Sequence, residues 1–102
     1  MYFSKKLYIS PSLEKKYRRV KWKLRTGRPQ PLIFVIALTK GEDLLEIYHS
    51  AMLKQYYYRQ KEHSPYIVGI ANGYSAAVDL VSNILCDVYT TTGGFDVKAY
   101  FR

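Results

Sequence analysis

The residues best suited to chemistry lie in the first third of the chain, where lysines and arginines surround the only tryptophan. Lys15, Arg18, Arg19, Lys21, Lys23, Arg25 and Arg28 flank Trp22 on both sides. Cationic side chains of this kind neutralise phosphates, and an indole among them offers a flat surface on which an unpaired base can stack. If the segment is helical, stepping about 100° per residue from Leu13 puts Trp22 on the side opposite the apolar stripe. Lys15, Arg18, Arg19 and Arg25 then fall within about 60° of it. Three alternatives stay open for the indole: a nucleic-acid contact, a protein interface such as a homodimer, or the core if the segment is a strand.

The charge is segregated. Residues 1–31 carry ten basic residues against the single acidic Glu14, a net +9, and the remaining 71 residues carry a net −1. A field of one sign on one short segment attracts polyanions, which here means nucleic acid or an acidic protein. A basic helix lying on an anionic membrane fits less well, because Trp would then belong on the apolar side.

Other candidate sites are weaker. Tyr56, Tyr57 and Tyr58 follow one another, so a helix cannot bury all three rings and at least one is available for stacking. The turn Asn72, Gly73, Tyr74 and Ser75 precedes a helix, whose first amides and dipole suit an anion. Its spacing matches neither the dinucleotide fingerprint nor the phosphate loop. Glu46 and His49 are three apart and Glu62 and His63 adjacent, so a histidine–carboxylate site needs the fold to bring them together, and Asp79 and Asp87 lie about 12 Å apart along a helix, too far to share acid–base work. Cys86 stands near Asp87, which disfavours the thiolate. The sequence therefore argues against an enzyme, and no metal or cofactor is expected. One cysteine in the chain excludes an internal disulfide and fits a reducing cytoplasm. The longest apolar run, Leu32–Leu38, is far short of the roughly 20 residues that cross a bilayer.

These residues have to be positioned by the elements around them. The 102 residues, 48% of them apolar, suit one domain with one modest core. Tyr2–Ile9 reads as an extended lead-in. Ser10 and Pro11 read as the N-cap and first turn of a basic helical segment over residues 10–27, with Leu13, Tyr17, Val20 and Leu24 on one stripe. The alternation of Arg19–Arg25 also admits a strand. Leu32–Leu38 is apolar throughout, as a central strand is. A turn over 39–43 leads to a partner strand, 44–49, then to a helix from Ser50 to about Lys61. Tyr66–Ala71 is a further strand, followed by a helix over about 75–91 that Gly93-Gly94 closes. The expectation is an α/β (α+β) sandwich of two or three layers, in the order α-β-β-α-β-α. Its mixed-sheet core spans residues 32–92, with three strands in the order 2-1-3. On this reading the chain binds nucleic acid through its basic helix without catalysing a reaction. The alternative is a homodimeric interaction module, and more distantly a phosphate or nucleotide site at the Asn72–Ser75 turn.

Overall fold

The computed structural model describes residues 2–26, 30, 32–38, 45–54 and 66–101. It is a mixed α+β structure with four strands, β1 (Tyr2–Ile9), β2 (Ile33–Leu38), β3 (Leu45–His49) and β4 (Tyr66–Asn72). The α-helices among the described residues are α1 (Tyr17–Thr26), α2 (Tyr74–Thr92) and α3 (Val97–Phe101). The sheet order is β1-β4-β2-β3. β1 runs parallel to β4, while β2 is antiparallel to both β3 and β4.

The sheet has four strands where the sequence suggested three. The added strand is the lead-in, which pairs along the β4 edge. Phe3, Leu7 and Ile9 alternate as a half-buried strand should, and all three pack on the same core cluster. Lys5 and Lys6 interrupt the apolar pattern and disguise the strand. Pairing is also irregular, because β1 advances five residues, Phe3 to Tyr8, while β4 advances two, Ile67 to Gly69. The excess residues bulge, and the Lys6 amide finds a substitute partner in the Ser4 hydroxyl at 3.1 Å.

Helices cover both faces. Val35, Ala37, Ile67 and Ile70 pack with Leu13, Val20 and Leu24 on the α1 side. Ile36, Leu38, Val68 and Ala71 pack with Ala77, Leu80, Ile84 and Val88 of α2 and with Val97 and Phe101 of α3. Alternating side chains let β2 and β4 serve both layers, and β4 carries a bulge opposite β2. Ile36 pairs with Gly69 and Ala37 with Ile67, so Val68 is the additional residue.

The helical reading of Arg19–Arg25 holds, but its start differs. Pro11–Leu13 forms a 3-10 turn and the α-helix begins at Tyr17. Ser10 occupies the cap position of that short turn without a capping side-chain bond. Its amide instead donates to the Ile70 carbonyl at 3.0 Å, and its hydroxyl accepts from the Asn72 amide at 3.2 Å. Ser10 thus ties the exit of β1 to β4. Ser50 likewise turns backward: its hydroxyl donates to the Gln30 carbonyl at 2.8 Å, and Ser50–Lys54 is a 3-10 turn, where an α-helix was expected. The rest of that expected helix and the 39–43 turn fall outside the described residues.

α2 follows its pattern closely. Ala77, Leu80, Ile84 and Val88 are buried at spacings of three and four, and Gly93 ends the helix in the left-handed region at φ 76°. α3 was not foreseen. Its five residues end the described chain by burying Val97 and Phe101 against α2.

Candidate functional site

α1 carries the site because its apolar side is narrow. Only Val20 and Leu24 of the helix are buried. Trp22 sits midway between them in sequence, about 200° around the helix from each, and so faces directly away from the sheet. Its side chain is 51% exposed. Arg18, Arg19 and Arg25 are exposed one turn away from it, and Lys15 is exposed but precedes the helix, whereas Lys21 and Lys23 are half-buried on the two flanks of the helix. Val20 and Leu24 together with Leu13 fasten this element to the sheet, each worth about 1.5–3 kcal/mol of burial.

The flank toward β1 is a groove that was not visible as a site in the sequence. A cavity of about 750 Å³ runs between β1 and α1, lined by Phe3, Lys5, Tyr17, Lys21 and Arg25, with Glu14 as its acidic side chain. The Phe3 ring gathers two cations: Lys21 Nζ and Arg25 Cζ each stand 5.0 Å from its centroid. Tyr17 is held by Arg18, whose hydrogen bond and positive charge pull the phenol below its ordinary range. The Arg18 guanidinium lies 5.9 Å from the Tyr17 ring. Phe3, Lys5 and Tyr17 are the residues the sequence reading missed. The signal available for Phe3 and Lys5 was the period-two pattern of Phe3, Lys5, Leu7 and Ile9.

Lys6 points elsewhere. Its ammonium donates to the Tyr100 carbonyl at 3.1 Å and lies 4.3 Å from the Tyr100 ring. Beside it the Tyr8 hydroxyl donates to Asp87 Oδ2 at 2.6 Å and meets the Tyr100 hydroxyl at 2.8 Å. Burial, with help from these two hydrogen bonds, pushes the Tyr8 phenol well above its ordinary value. This cluster clamps β1 to α2 and α3, so the adjacent lysines Lys5 and Lys6 serve opposite faces of the sheet.

The remaining sequence candidates are dispersed. Tyr56, Tyr57, Tyr58 and Arg28 lie outside the described residues. In the Asn72–Ser75 turn, the Gly73 amide donates to the Leu32 carbonyl at 2.7 Å, and the Asn72 amide is engaged by Ser10. Tyr74 packs edge-on against Phe34 at 5.8 Å. Glu46 accepts a hydrogen bond from the Tyr48 hydroxyl, and His49 Nδ1 accepts from the Ala51 amide at 3.1 Å. Among the described residues no three His, Cys, Asp or Glu side chains gather as a metal site would require, and no helix is long and apolar enough to cross a membrane.

The site thus combines a convex face, Trp22 ringed by exposed cations, with a concave one, the Phe3 groove. Together they suit a ligand with spaced negative charges and flat apolar surfaces. No family model, no curated protein and no solved structure matches this chain.

Proposed function

We propose that this protein binds nucleic acid through α1 and the adjoining groove, without catalysing a reaction on it. The observation that carries the reading is the position of Trp22, exposed at the centre of a cationic helix face opposite the buried Val20 and Leu24. The indole there is half open to solvent, and the cations around it attract an anion. Arg18, Arg19, Lys15, Lys21, Lys23 and Arg25 take phosphates, and Trp22 takes a base or sugar. The segment's net +9 supplies the attraction. Reversing Arg18 and Arg19 to glutamate removes two phosphate contacts and adds two repulsions, on side chains that support no core. Fluorescence anisotropy with labelled DNA and RNA should show at least a tenfold loss at moderate salt, with the circular dichroism spectrum unchanged. Equal affinity in the reversed variant rejects the reading.

A second reading, a homodimer, is favoured by a different surface from the one the sequence suggested. Pairing two α1 faces would oppose like charges. The outer side of α2 instead exposes Tyr74, Val78 and Tyr89, with Phe95 just beyond its end. Tyr89 and Phe95 stand 5.6 Å apart, and with Leu85 and Cys86 they line a shallow hollow of about 420 Å³. Each half-exposed ring offers roughly 100 Å², so a symmetric pair buries roughly 700–800 Å² of these side chains, below the 1,200–2,000 Å² of a stable interface. Such a dimer is weak. Sedimentation at increasing concentration tests it, and Tyr89→Ser with Phe95→Ser should hold the protein monomeric where the wild type begins to associate.

A further inference from the structure

We infer that the groove between β1 and α1 holds one unpaired nucleotide, and that the ligand is therefore single-stranded nucleic acid. This rests on the nucleic-acid reading above and narrows it. A flat cationic face alone would accept a duplex as readily as a single strand. The groove does not: a paired base is stacked inside the duplex and reaches a pocket only by being flipped out. At about 750 Å³ the groove lies in the range of small-molecule sites, roughly 300–1,000 Å³.

Its chemistry is ordered for such a unit. Phe3 holds the heads of Lys21 and Arg25 at equal distances from its ring, which brings two positive charges to one place before any ligand arrives. Lys5, two residues along the same strand, adds a third. These three face the phosphate. Tyr17 supplies the aromatic wall, steadied by Arg18, and offers a surface to the base. Glu14 is the acidic side chain of the lining. It accepts from a ribose hydroxyl or an exocyclic amine and repels additional phosphate, which favours a unit with one phosphate over a free triphosphate. Trp22, the neighbour of Lys21, stands on the open face of the same helix, where the next base of a continuous strand can stack.

The test compares three probes on the intact protein: a short labelled oligoadenylate, the same strand annealed to its complement, and adenosine monophosphate alone. Two variants accompany the wild type, Phe3→Leu, which keeps apolar bulk but removes the ring, and Lys21→Gln with Arg25→Gln, which removes both charges and keeps polar side chains there. The wild type should favour the single strand over the duplex about tenfold. Each variant should lose about fivefold or more in single-strand affinity, the first because the two charges are no longer held in place and the second because they are gone, and the preference should shrink with it. Equal binding of strand and duplex, or an unchanged preference in both variants, overturns the groove assignment while leaving nucleic-acid binding in place. Failure of the wild type to bind any strand overturns both. Monophosphate binding as tight as the oligonucleotide and equally sensitive to Phe3→Leu would make the groove a free-nucleotide site and overturn the assignment to a strand.

Discussion

At Gly69 the sheet and α2 approach each other closely, and replacing it with alanine tests how tightly they pack. A Cβ built there would lie 3.0 Å from Ile36 Cδ1, 3.2 Å from Leu80 Cδ2 and 3.3 Å from Ile36 Cβ. The first two atoms end flexible side chains, but Ile36 is fully buried and Leu80 is 6% exposed, so neither can swing into solvent. The third atom is fixed to the backbone of the paired strand. Something must move, and inserting a methyl group into such a core costs about 1–3 kcal/mol. At about 2 kcal/mol the melting temperature of a chain this size falls by roughly 10 °C. Urea denaturation gives the free energy directly. Ile36→Val removes the Cδ1 atom that makes the shortest contact, and costs about 0.5–1.5 kcal/mol on its own. In that background Gly69→Ala should cost no more than about half as much, a coupling that a double-mutant cycle measures. A Gly69→Ala protein within about 0.5 kcal/mol of wild type would refute the tight approach of α2 to β4, as would strict additivity with Ile36→Val.

Two further outcomes follow from the β1 clamp. Tyr8→Phe removes the hydroxyl that joins Asp87 and Tyr100, and unfolding in urea at neutral pH should show a loss of about 1 kcal/mol. The same variant has a pH signature. The folded Tyr8 phenol titrates above its ordinary value of 10.0, so the folded state keeps its proton while the unfolded state begins to release it. The stability Tyr8 contributes is therefore whole below about pH 10 and falls as the pH rises further. The gap between wild type and Tyr8→Phe should narrow above about pH 10, and a constant gap would contradict the clamp.

What was legible in the sequence followed from unbroken local patterns. Leu32–Leu38 reads as a central strand because apolar, β-branched residues leave no solvent side, and Ile33–Leu38 is indeed nearly all buried, although Leu32 stays outside the strand and is 65% exposed. α2 is legible from its three- and four-residue spacing and its closing glycine. Trp22 could be placed because one helical stripe determines the opposite side. What was missed depended on partners distant in the chain. β1 looks like a lead-in until Ser10, Phe3 and Ile9 find β4 some sixty residues away. α3 has only Val97 and Phe101 to announce it, and they become informative only against α2. The groove is hidden for the same reason. Phe3 and Arg25 are far apart in sequence, and no spacing rule brings a strand's aromatic ring beneath a helix's cations. The helix start was misread because Ser10 has a use in the tertiary structure that competes with capping.

The measurement that bears most directly on α1 uses Trp22, the only tryptophan, as its own reporter. Intrinsic fluorescence is followed as single-stranded oligonucleotide is added at about 50 mM and about 200 mM salt. A base or sugar against the indole quenches the emission, and higher salt weakens the binding steeply, with a log–log slope near −0.7 per phosphate neutralised on a single strand. The account predicts saturable quenching with a slope of about −3, set by four or five of the α1 and groove cations. Emission unmoved by oligonucleotide at both salts would contradict it.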